Sequence, residues 1–176
     1  MKVVFIGSGN LATHLSLAMK GAGIEVVQVY SQTESHASLL ANKLSCSFTT
    51  EPESIVIDAD IYIFSVKDSA LLDLIHKIPQ NKGLWLHTAG SVPMGVFEGY
   101  NDRYGVLYPL QTFSKNRDID FSIVPVFIES NSAGDEAYLL SFAGKLTRQV
   151  ISLSSEKRKH LHLAAVWACN FTNHMY

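Results

Sequence analysis

Apolar and polar positions alternate along this chain between two periods. Val3-Val4-Phe5-Ile6 is an unbroken apolar run short enough for a buried strand. Directly after it, Leu11, Leu15, Ala18 and Ala22 recur at helical spacing, predicting a helix over 10–20 that Gly21 and Gly23 end. Glu25 to Tyr30 reads as the second strand, 35–44 as a helix, 45–49 as a short third strand and 52–57 as a short helix or turn. Asp60 to Val66 is a buried strand, and Asp68 is expected to cap a helix over 69–77. Leu84 to Thr88 and Tyr104 to Tyr108 read as strands, with Ser91 and Pro93 starting a short helix between them and Pro109 closing the second.

Strand and helix alternate, so the pattern predicts an α/β protein with a Rossmann-type, doubly wound, mostly parallel sheet. After Pro109 the rhythm changes. Residues 111–120 are polar and without helical period, and a parallel crossover needs a dozen or more residues, usually a helix. Residues 123–128 are therefore expected to join the sheet antiparallel to the strand before them. A helix over 133–146 and a strand over 149–153 complete a domain spanning 1–153.

The last stretch, 154–176, predicts a helix capped by Ser154 or Ser155. Lys157, Arg158 and Lys159 read as its solvated first turn. Leu161, Leu163, Ala164, Ala165, Val166, Trp167, Ala168 and Phe171 make the rest apolar nearly all round. Such a helix must be covered. The segment is expected to be the first helix of a truncated helical domain, covered by further chain and by a second subunit in a homodimer.

The 176 residues are 47% hydrophobic and 17% charged, with a formal net charge of −2. That balance suits a packed core and gives no general attraction to nucleic acid or an anionic membrane. No apolar run reaches the ~20 residues of a membrane span. Two isolated cysteines, Cys46 and Cys169, and the absence of a leader-like stretch read as a cytoplasmic protein.

The chemistry concentrates where predicted strands end. Gly7-Ser8-Gly9-Asn10-Leu11-Ala12 stands between the first strand and the first helix, the context a dinucleotide fingerprint requires. Gly7 permits the turn, Gly9 lets a pyrophosphate approach the backbone, and Ala12 lets helix and strand pack closely. The helix N-terminus offers N–H groups and partial positive charge to phosphate. The second strand ends Tyr30-Ser31-Gln32, without the carboxylate that NAD sites place there, so a 2′-phosphate is tolerated. Val66 and Lys67 end the fourth strand, and His87 and Thr88 the fifth, beside the expected ligand crevice. His87 is a candidate proton donor or a strand-end histidine. Tyr108 to Phe113 either walls a substrate pocket or forms a plain turn. Asn170 and His174 share one face of the last helix with Asn173 and are candidates for substrate contact or for structure. No metal site is expected: His160 and His174 stand about 21 Å apart along a helix, and His160 and His162 face different ways.

With these motifs assembled, the chain resembles a family of Rossmann-like NADP oxidoreductases with a helical C-terminal domain of unassigned function. It is similar to pyrroline-5-carboxylate reductase, deazaflavin-dependent NADP oxidoreductase and the 6-phosphogluconate dehydrogenase group. The resemblance rests on 7–12, 65–70, 87–91, 108–115 and 162–174. It implies NADP lying over Gly7 to Ala12, the Ser31 turn, the Val66 loop and the His87 loop, and hydride transfer to a small C=O, C=N or deazaflavin acceptor. Two positions depart from relatives: Gln32 stands where an arginine often grips the 2′-phosphate, and Val166 where related dehydrogenases carry a lysine four residues before the helix asparagine. A non-catalytic NADP-binding sensor or scaffold is the alternative. An S-adenosylmethionine-dependent methyltransferase fits less well, because such sites also want an acidic residue after the second strand.

Overall fold

The computed structural model describes residues 1–114 and 118–174, without the side chains of 169–174. Among the described residues, the chain runs β1 (Lys2–Ile6), α1 (Asn10–Gly21), β2 (Glu25–Tyr30), α2 (Glu34–Leu44), β3 (Ser47–Thr49), β4 (Ile61–Phe64), α3 (Asp68–Ile75), β5 (Leu84–His87), β6 (Tyr104–Pro109), β7 (Val126–Ser130), α4 (Ala133–Ala143), β8 (Val150–Ser152) and α5 (Ser155–His174). Single turns of 3₁₀ helix stand at 52–54, 94–97 and 121–123.

The strands form one sheet in the order β3-β2-β1-β4-β5-β6-β7-β8. Pairing is parallel from β3 through to β6; β6 and β7 are antiparallel, and β7 and β8 parallel again. This is a Rossmann-type α/β sheet with the expected antiparallel step after β6. The reversal follows from the linker, whose described residues supply a single 3₁₀ turn at 121–123 and no long crossover helix.

Both faces of the sheet are covered, which explains why its strands read as continuous apolar runs. Val3 and Phe5 of β1 pack with Ala12, Leu15 and Met19 of α1. Their neighbours Val4 and Ile6 point the other way, onto Leu71, Leu74 and Ile75 of α3 and onto Phe97. Strand periodicity thus divides one core into two layers. Order reverses between β1 and β4, and their carboxyl ends open the crevice in which doubly wound sheets bind ligands.

Two local expectations are corrected. Lys67, not Asp68, precedes the first turn of α3 with extended backbone; Asp68 is already helical, and its carboxylate accepts from the Ser91 hydroxyl at 2.6 Å. Arg158 is not solvated. It is buried beneath α5, donating to the Glu129 carboxylate of β7, to the Val92 carbonyl at 2.6 Å and to the Ser155 hydroxyl. A guanidinium tolerates burial there because a carboxylate and a carbonyl receive it. Lys157 and Lys159 are exposed as expected.

Candidate active site

The carboxyl ends of β1, β2, β4, β5 and β6 surround a cavity of about 600 Å³. The glycine turn forms one wall. Gly7 has φ +119°, and a Cβ there would lie 2.1 Å from the Ser65 carbonyl oxygen. Only glycine lets the end of β1 pass the end of β4 so closely. Gly9 faces open space instead, with nothing within 4 Å of an added Cβ. The first position serves the fold, the second leaves room for a ligand. Ser8, half-buried beside them, donates its hydroxyl to Ser31 at 2.8 Å, tying the turn to the tip of β2.

Of the residues singled out from sequence, Gly7, Ser8, Gly9, Asn10, Leu11, Tyr30, Ser31, Gln32, Val66, Lys67 and Thr88 line this cavity. Ala12 does not. It is fully buried against β1, where its small side chain allows the close packing that aims α1 at the crevice. The end of β2 presents Tyr30, Ser31, Gln32 and Thr33 and no carboxylate.

His87 also lies off the cavity, which corrects its reading as proton donor. It is fully buried behind β5, its ring 5.7 Å from that of Phe97. Burial, helped by the charge of Arg158, lowers its pKa to about 3. Nδ1 accepts the Ala89 N–H at 3.2 Å, which fixes the neutral ring with its proton on Nε2. A neutral, enclosed imidazole that accepts the Ala89 N–H shapes the Thr88–Ser91 turn. The side chains of Asn170 and His174 lie outside the described residues.

Sequence reasoning offered Tyr108 to Phe113 as a pocket wall or a plain turn but missed the partner of Tyr108. Tyr108, at the end of β6, and His162, on α5, meet at the cavity edge with the hydroxyl 2.8 Å from Nδ1. Gly90 makes this possible, because a Cβ there would lie 2.4 Å from His162 Nδ1. Burial raises the pKa of the Tyr108 phenol, with Arg158 pulling weakly against the rise. Tyr108 and His162 also line a second cavity of about 350 Å³, with Leu110, Gln111, Thr112, Ala165 and Val166. They form the border between the two spaces. The signal was present but thin: His162 falls four residues after Arg158, so both share a helix face that must meet the sheet.

The dinucleotide-type crevice agrees with comparison to known proteins. Residues 2–86 match the family of coenzyme F420-dependent NADP oxidoreductases, and residues 124–176 match a domain of unknown function, DUF2520. The "putative NADP oxidoreductase BF3122" from Bacteroides fragilis is 47% identical, superposes with a TM-score of 0.92, and is matched over 99% of this chain and 69% of its own. The chain belongs to this NADP oxidoreductase family. An imine reductase from Myxococcus stipitatus, in complex with NADP+, shares the fold at 15% identity and a TM-score of 0.79, over 98% of this chain and 62% of its own. A pyrroline-5-carboxylate reductase from Coxiella burnetii does so at 17% and 0.68, over 88% and 59%. The chain thus spans less than two thirds of the length of either reductase. No curated protein matches it. Among the described residues, no helix of this family member is long and apolar enough to cross a membrane.

Proposed function

We propose that this NADP oxidoreductase family member binds NADP(H) along the crevice and passes hydride to or from a small C=O, C=N or deazaflavin acceptor. The observation that carries the reading is the continuity of the cavity. It runs from the Gly7–Leu11 turn, past Ser31 and Val66, to the Tyr108–His162 pair. The space above Gly9 and the N–H groups opening α1 suit a pyrophosphate. Ser31 and Gln32 suit a ribose carrying a 2′-phosphate. Thr88, Ala89 and Gly90 are small enough to leave room beside β5 for a flat ring. The bound cofactor supplies the two-electron chemistry; the chain's part is orientation, exclusion of water and management of a proton.

The reading extends to assembly. α5 carries Leu163 more than half exposed at the start of its apolar stretch, which supports a homodimer formed through a helical domain that α5 begins. A second reading, a non-catalytic sensor or scaffold, is favoured by Val166. It lines the second cavity where the resemblance would place a lysine acid. NADPH titration by fluorescence, followed by absorbance at 340 nm with carbonyl, imine and deazaflavin acceptors, separates them. Tight binding with oxidation of NADPH supports the enzyme; tight binding with no oxidation by any acceptor supports the sensor.

A further inference from the structure

We infer that Tyr108 is the proton donor of this site, recharged through His162, and that its substrate is an uncharged aldehyde or ketone held in the second cavity. The inference rests on the oxidoreductase reading above and deepens it.

Tyr108 and His162 line both cavities, so a group bound in the smaller one meets them where it meets the cofactor crevice. The Tyr108 hydroxyl is the acidic group at that border. A phenol is protonated at neutral pH, as a donor must be; burial raises its pKa further, so its proton moves only as negative charge develops on the acceptor oxygen. His162 stands behind it at 2.8 Å and is partly exposed, so its ring connects the phenol to solvent. With Nδ1–H donating to the phenol oxygen, the phenol proton is free to face the substrate. The carbonyl gains hydride at carbon from NADPH and a proton at oxygen from Tyr108. His162 returns a proton to the phenolate and takes one from water through Nε2. One NADPH and one proton are consumed per alcohol formed.

The class of substrate follows from the remaining walls. Leu110, Ala165 and Val166 are apolar, and Gln111 and Thr112 are polar without charge. Among the described residues of these remaining walls, none would pair with a carboxylate or phosphate, whose transfer out of water needs a partner. An iminium already carries its proton and would seek an anion; the carboxylate near this end of α5, Glu129, is engaged by Arg158 and Ser155. A neutral acid beside neutral walls suits an oxygen that acquires negative charge as it is reduced.

The test uses the full chain. Isobutyramide, an unreducible stand-in for a carbonyl, and isobutyrate, its charged counterpart, are titrated by NMR with and without NADPH. Isobutyramide should bind at least about tenfold tighter than isobutyrate, and Tyr108→Phe should remove about tenfold of that affinity. In turnover, Tyr108→Phe should lower kcat about 100-fold with simple ketones and aldehydes. The NADPH Kd should stay within twofold and the melting temperature should be unchanged. His162→Asn, which keeps a donor near Nδ1, should recover more activity than His162→Leu. Tighter binding of isobutyrate, or a Tyr108→Phe variant with parental kcat, overturns the inference. So does reduction of 2-methyl-1-pyrroline but of no carbonyl compound, although the oxidoreductase reading then stands. If NADPH binds and no acceptor is reduced, that reading falls and the inference with it.

Discussion

Arg158 on α5 and Glu129 on β7 form an ion pair in which the arginine side chain is 1% exposed and the carboxylate 17%. Glu129 also accepts from the Ser155 backbone N–H at 2.9 Å and from the Ser155 hydroxyl at 2.7 Å. One carboxylate therefore receives both the start of α5 and the residue one turn later. Arg158 reaches on to the Val92 carbonyl, beyond the Thr88–Ser91 turn. The pair locks helix, strand and loop together, and His162, one further turn along, is seated over Gly90 as a result.

Breaking one side of this pair leaves a buried charge without its partner. Arg158→Met is expected to cost about 3–5 kcal/mol in urea denaturation. The double variant Arg158→Met/Glu129→Leu should recover most of that loss, since it removes both desolvation penalties. A double variant no more stable than Arg158→Met would show that the pair contributes through contacts other than its charges.

Gly7 and Gly9 should fail in opposite ways. Gly7→Ala drives a methyl into the Ser65 carbonyl at positive φ, so it should cost about 3 kcal/mol or more and lower the melting temperature markedly. Gly9→Val has open space and ordinary φ, so its cost is that of a poorer N-cap and stability should fall by no more than about 1 kcal/mol. Its side chain would fill the pyrophosphate position, and NADPH binding should vanish. Calorimetry and a thermal melt on each variant check both halves.

His87 should reveal itself through stability and not through catalysis. Its folded pKa is about 3, against about 6.5 in an unfolded chain. The unfolded state therefore takes up a proton as pH falls below about 6.5, and the folded state does not. The stability this group confers is whole above pH 6.5 and declines as pH falls towards 3. Between pH 7 and pH 5 the loss should be about 2 kcal/mol, and His87→Phe should flatten that part of the profile. A parent protein equally stable at both pH values would show a histidine that reaches solvent.

Much of the fold was legible because its strands are short apolar runs closed by glycine, proline or a charge. The reversal at β7 could be read from what 111–120 lack. The crevice was legible for the same reason: in a doubly wound sheet, strand ends locate the ligand before any side chain is placed. The misreadings of Arg158, of the Tyr108–His162 pair and of His87 share one cause, which is burial imposed from outside the local stretch. Arg158 sits among lysines and looks solvated until Glu129, 29 residues earlier, is brought to it. Tyr108 and His162 are 54 residues apart, and nothing local to either names the other. His87 follows three apolar strand residues, and the Phe97 ring, from beyond its own strand, packs against it with the Arg158 charge nearby.

Cofactor choice should turn on the tip of β2. Ser31 accepts the Ser8 hydroxyl there at 2.8 Å, and Gln32 is exposed on the cavity wall. No carboxylate of that tip lines the cavity. A 2′-phosphate placed there meets hydroxyl and amide donors and no repelling anion, so NADPH should bind more tightly than NADH. Gln32→Arg adds a charge-assisted, two-pronged contact and should widen the preference about tenfold. Ser31→Asp does the reverse. It sets an anion near the phosphate and offers an acceptor to an unmodified ribose, so it should shift the ratio of the two Kd values towards NADH about 100-fold. Fluorescence titration of both cofactors across the parent and the two variants measures this directly. Tighter binding of NADH by the parent would mean that the ribose lies elsewhere, whatever the arginine and aspartate variants do.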